Sequence, residues 1–190
     1  VLSEAGLRVG VVESGMWSHI RSHGQRGAIW MLVWPPRRMV RYLCVVLIAV
    51  PVWYGVGTLV KYGDVIGTSL GLPADQKPDP GRAVMWCYVG LAAGDLASGL
   101  LSQWLRSRRG SVLAFHVLTI VAMAVDFVLG ARSREWFYAA CWCIGLGCGY
   151  WAVFATAAAE QFGTNVRATA ATTAPNLVRW SAAASAGLWV

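Results

Sequence analysis

Charged side chains set inside apolar runs mark the places in this chain where chemistry is expected. Asp95 lies within the apolar residues 82–104, nine residues from the end of that run, which at 1.5 Å per residue is about 13 Å along a helix. A carboxylate at the centre of a membrane helix costs about 3 kcal/mol on insertion scales, so it must face protein or water. Asp95 is therefore a candidate proton or cation site, or else a structural acceptor for a neighbouring helix, and Arg179 is its candidate partner. Arg179 stands ten residues into the final apolar run, one turn after Asn176, which with Pro175 is expected to interrupt that helix early.

Glu160 and Arg167 form a second group, seven residues apart across a polar stretch. They can cap helix ends or pair with the basic turn that carries Arg106, Arg108 and Arg109, and so hold one conformation of that face as a gate. The indoles form a third group. Among the 11 Trp, Trp34, Trp104 and Trp136 fall at the ends of apolar runs, where the ring suits a membrane interface. Trp53, Trp86 and Trp151 sit within runs and are also candidates for a cavity wall. Asp126 and His116, each about five residues from an end of their run, are expected to reach the interface by snorkelling.

Other familiar chemistries find no support. Gly145, Gly147 and Gly149 superficially resemble a dinucleotide loop, but the spacing is wrong and no strand precedes them, so they are expected to serve close helix packing or local flexibility near a cavity. The five Cys lie inside apolar stretches and read as small packing residues, since no His stands near Cys141 and Cys143 to complete a metal site. The sequence holds no HExxH, no Ser and His one helical turn apart within one run and no paired carboxylates at ligand spacing. An intramembrane enzyme, a metal and a cofactor are therefore not expected.

The elements that must position these groups follow from composition. The 190 residues are 57% hydrophobic and only 13% charged, where a soluble domain carries about a quarter charged residues. Mean hydropathy is +0.52. Apolar residues come in long continuous blocks, which predicts an all-α polytopic bundle of membrane helices rather than an alternating barrel. The blocks cover residues 39–60, 82–104, 111–131, 136–158 and 170–190, the last incomplete, after a polar linker over residues 1–38. Pro51 is expected to kink the first. Residues 61–81, rich in Gly, Pro and Asp, read as an aqueous loop.

Net charge is +7, but the Arg residues cluster at block ends rather than among aromatics on one soluble face, so orientation and not nucleic acid is their expected use. Ten of the basic residues fall on the side of the linker and the 106–110 turn and five on the other, which predicts a cytoplasmic N-terminal segment. The final run stops without a polar flank, so the chain is expected to be a piece of a larger protein of the inner or plasma membrane.

Two stretches carry a resemblance. One contains Gly90, Gly94, Asp95, Gly99 and Gln103 and closes on the turn of Arg106, Arg108 and Arg109; the other reads Glu160-Gln161-Phe162-Gly163-Thr164-Asn165-Val166-Arg167-Ala168. The first is similar to a cytoplasmic loop motif of the major facilitator superfamily, with Gln103 and Trp104 replacing its acidic and following Arg positions. The second resembles the E-x-F-x-T-x-x-R-A loop between that superfamily's tenth and eleventh helices. The resemblance implies helices seven to eleven of a transporter whose N-terminal half is absent, with alternating access around a mid-membrane cavity. It places the helices of Asp95 and Arg179 among those lining that cavity, so the two residues are expected either to contact an anionic small solute or to form an ion pair broken during access, with a proton or sodium ion as the coupling ion. It makes the 111–131 helix peripheral. The alternative is a non-transporting membrane protein, a remnant or an interaction subunit.

Overall fold

Proline and short polar side chains start the long helices, and glycine sets how closely they approach. A computed structural model describes residues 29–69, 71–130, 132–163 and 166–187. The first 28 residues of the expected linker lie outside them. A short helix α1 (Trp30–Val33) precedes α2 (Pro36–Tyr54), which opens with Pro at its first turn, where a missing N–H costs nothing, and runs on as a π-helix over Gly55–Val60. The helix continues through Pro51.

The expected aqueous loop over residues 61–81 is more structured than its composition suggested. It holds α3 (Gly63–Ser69) and a 3₁₀ turn (Ala74–Gln76), tied by a Lys77–Asp64 ion pair at 3.3 Å. Asp79 then caps α4 (Pro80–Trp104) by accepting from the Arg82 N–H at 2.9 Å. The joint to α5 (Arg108–Val125, extended as a π-helix over Asp126–Gly130) is tight. Arg106 adopts a left-handed φ of 48°, and the Ser107 hydroxyl accepts from the Gly110 N–H at 3.2 Å. Ser133 caps α6 (Arg134–Cys148). The run expected as one span then breaks at Gly149–Tyr150 and resumes as α7 (Trp151–Glu160), before α8 (Arg167–Ala186).

Four of these segments are long and apolar enough to cross a bilayer: Pro36–Val60, Pro80–Trp104, Arg108–Gly130 and Arg134–Glu160. The expected fifth span forms a helix, α8, yet is not among them within the described residues, because Thr, Ser, Asn176 and Arg179 dilute its apolar residues. Pro175 does not interrupt it. Only 22% of the apolar stretch in each of α4 and α5 is buried against protein, while Leu96, Leu100, Leu113 and Ile120 face outward. A surface so apolar suits hydrocarbon, and the four helices fit an integral membrane protein.

The α6–α7 segment is the most buried of the four, and glycine explains its closest contact. A Cβ on Gly145 would stand 1.9 Å from the Cys87 carbonyl oxygen, and one on Gly90 would stand 2.1 Å from the Trp142 oxygen. The glycines therefore let α4 and α6 meet backbone to backbone. Gly147, on another face, meets the Thr119 backbone of α5. Cys87, Cys141 and Cys148 are buried as small packing residues, while Cys44 is exposed and Cys143 half-buried. Hydroxyls join the remaining pairs. Ser111 donates to the Ser98 carbonyl at 2.8 Å between α5 and α4; Tyr42 donates to Thr173 at 2.8 Å and Thr58 shares a 2.7 Å bond with Ser185, fixing α8 along α2.

Candidate functional site

A helix broken inside a membrane exposes N–H groups that have no water to bond, so each needs a partner. At the start of α7 that partner is Asp95, whose Oδ1 accepts from the Ala152 N–H at 3.2 Å. The carboxylate thus caps a helix N-terminus from the neighbouring helix, where the aligned peptide dipoles favour negative charge. Close approach makes this possible. Gly149 packs against Gly94, with any Cβ on it 2.5 Å from the Asp95 nitrogen, so Asp95 is carried directly to the break. The cost that marked Asp95 as unusual is offset by this bond and the dipole. Tyr150, fully buried at the break, donates to the Ile48 carbonyl of α2 at 2.9 Å and lies 5.0 Å from the His116 ring of α5.

Beside the break lies a cleft of about 190 Å³, lined by Val52, Trp53 and Val56 of α2, Tyr88 and Leu91 of α4, Trp151 of α7 and Arg179 of α8. The structure therefore brings together Trp53, Trp151 and Arg179, and Asp95 lies one turn along α4 from Leu91. Trp53 and Trp151 meet edge to face at 6.1 Å, and the Arg179 guanidinium sits 5.3 Å from the Trp53 ring. Arg179 also donates to Asn176 Oδ1 at 3.4 Å. The Trp53 indole nitrogen is buried with no hydrogen-bond partner among the described residues. A cation, two aromatic faces and an unused N–H form an arrangement able to hold a small solute with an anionic or strongly accepting group.

The expected Asp95–Arg179 ion pair does not form. The described residues contain two ion pairs, Lys77–Asp64 and Arg108–Glu160, while Asp95 is spent on Ala152 and Arg179 on Asn176 and Trp53. Trp86 is elsewhere, on another face of α4, in a cleft with Tyr138 and Trp142 of α6. Trp34, Trp104 and Trp136 stand exposed at helix ends.

At the basic end, Arg108 of α5 pairs with Glu160 at the end of α7, and Arg41 donates to the Gln161 carbonyl at 3.1 Å. Arg106, Arg109 and Arg167 are exposed and join no ion pair among the described residues. Thr164 and Asn165 of the loop before Arg167 lie outside those residues.

Sequence reasoning missed Tyr88 and Leu91, although Tyr88 falls seven residues before Asp95, on the same face of a helix. It also misplaced Asp126. Instead of reaching the interface, Asp126 is 3% exposed and its Oδ1 has no partner among the described residues. The signal was present: Ser111, Phe115, Thr119 and Ala122 form the buried stripe of α5, and Asp126 is its next member. No family model, curated protein or solved structure matches the chain.

Proposed function

We propose that this chain forms part of a membrane transporter that moves a small solute by alternating access, with its site at the cleft beside the break between α6 and α7. The observation that carries the reading is the break within the long apolar segment Arg134–Glu160, capped by Asp95 and adjoining the Trp53, Trp151 and Arg179 cleft. Transporter sites are built in this way, because an unwound segment is tolerated inside a membrane only where it lines a cavity or is buried in protein. Arg179 and the Trp53 indole N–H hold the solute, and the aromatic faces pack its body. Asp95 couples the ion: a proton or cation arriving at its carboxylate weakens the cap on α7 and releases that helix to move. The Arg108–Glu160 pair closes the basic face in one of the two states, with Arg106, Arg109 and Arg167 beside it as the gate.

On the resemblance to the major facilitator superfamily, an N-terminal half completes the cavity, and the chain lies in the cell (inner) membrane with its N-terminal segment cytoplasmic. The test is uptake into proteoliposomes of a panel of radiolabelled sugars, carboxylates and osmolytes, with and without a proton or sodium gradient. Arg179→Gln is expected to raise KM about 10- to 100-fold, the loss of a hydrogen bond to a charged group. Asp95→Asn keeps an oxygen that can accept from Ala152, so gradient-driven uptake is lost while solute exchange persists. Wild-type uptake in both variants would remove the cleft as the site. Absence of uptake for the whole panel would favour a non-transporting membrane protein, a remnant or an interaction subunit.

A further inference from the structure

At the basic end of the bundle, α2, α5 and α7 leave a groove of about 520 Å³ between them. Its mouth carries Arg41, Arg108 and Arg109, and its walls descend past Ile48 and Leu113 to His116 and Phe154. Arg41 to Ile48 and Arg109 to His116 are each seven residues, so both walls drop about 10 Å, two helical turns, from guanidinium to apolar side chains. Ile48 and Leu113 are exposed, so the groove opens sideways onto the surface that a bilayer would cover.

Charge at the mouth is unbalanced. Among the described residues, Arg37, Arg38, Arg41, Arg106, Arg108, Arg109 and Arg167 stand at this end against the one carboxylate of Glu160, which Arg108 already takes. Arg41 uses one of its five donors on the Gln161 carbonyl. Arg109 joins no ion pair among the described residues. Lower down, His116 Nδ1 is buried without a partner among them. A soluble anion would leave the apolar walls unused, and a plain hydrocarbon chain would leave the arginines unused. One molecule that uses both and arrives from the side is an anionic phospholipid.

We propose that this groove binds one anionic phospholipid, its phosphate between Arg41 and Arg109 and one acyl chain running past Ile48 and Leu113. The ester oxygens, between phosphate and chain, are the polar atoms that such a lipid brings toward His116. Binding joins α2, α5 and α7 at the face where Arg108 meets Glu160. The site rests on the four helices crossing a bilayer and not on the transport reading.

The test is native mass spectrometry of the delipidated chain in neutral detergent, titrated with dioleoyl phosphatidylglycerol and, separately, dioleoyl phosphatidylcholine. One phosphatidylglycerol is expected to bind about tenfold or more tightly than phosphatidylcholine, and Arg41→Gln with Arg109→Gln is expected to remove that preference. Arg106→Gln with Arg167→Gln deletes the same charge outside the groove and is expected to keep it. Ile48→Trp, with every arginine in place, fills the groove and is expected to lose the bound lipid at unchanged helix content by circular dichroism. Equal binding of the two lipids by the wild type would overturn the proposal. So would equal losses in the two arginine pairs, or unaltered phosphatidylglycerol binding by Ile48→Trp.

Discussion

The crossing of α4 and α6 makes the sharpest stability prediction, because a single methyl group tests it. In Gly145→Ala the new Cβ stands 2.8 Å from the Cys87 carbonyl carbon and 1.9 Å from its oxygen, the latter more than an ångström inside the 3.0 Å below which real contacts essentially never fall. The obstacle is backbone, so no rotamer change relieves it, and the two helices must separate. Overpacking of this kind costs about 1–3 kcal/mol, and a gap of about 1 Å along the crossing forfeits up to half of each dispersion contact. The same separation lengthens the Asp95–Ala152 bond beyond its present 3.2 Å, removing a cap worth about 1 kcal/mol. Opposing these, Ala is favoured over Gly in a helix by about 1 kcal/mol. The balance is a destabilisation of about 2 kcal/mol, which for a chain of this size is a fall in Tm of about 4–8 °C. Thermal melts followed by far-ultraviolet circular dichroism in a fixed detergent measure it. Gly99→Ala, on the same α4 with nothing within 4 Å of the added carbon, is the matched comparison and is expected to melt at or slightly above wild type. If Gly145→Ala melts as high as Gly99→Ala, the backbone-to-backbone packing of α4 and α6 is refuted.

Two further outcomes follow from particular bonds. Tyr150→Phe removes the hydroxyl that reaches the Ile48 carbonyl at 2.9 Å and is expected to cost about 1 kcal/mol, read as a lower Tm in the same detergent; an unchanged Tm would mean that the bond does not hold the break against α2. A double-mutant cycle of Arg108→Gln and Glu160→Gln is expected to return a coupling under about 1 kcal/mol that shrinks in high salt, because both side chains are about half exposed; a larger, salt-insensitive coupling would show a buried pair instead.

Much of the architecture is a local property of the chain and was readable from it. Apolar blocks longer than about 20 residues must be helices if they cross a bilayer, and Asp79-Pro80, Ser107 and Ser133 begin their helices through bonds spanning three residues. The packing role of Gly145 and Gly149 was legible for the same reason, since small residues four apart on one helix face mark a close crossing. The candidate site was legible only as a set of unusual residues. Trp53, Trp151 and Arg179 converge, Trp86 stands apart, Asp95 binds a backbone N–H 57 residues away instead of Arg179, and Asp126 turns inward. These outcomes depend on how each helix is rotated about its axis and where along its length it crosses its neighbours. A span such as α4, apolar on nearly every face, carries no amphipathic signal for that rotation. Sequence alone determined the four long apolar helices and the glycines that let two of them approach closely. Tertiary structure decided which polar side chains meet, because that requires a register between helices distant in the chain.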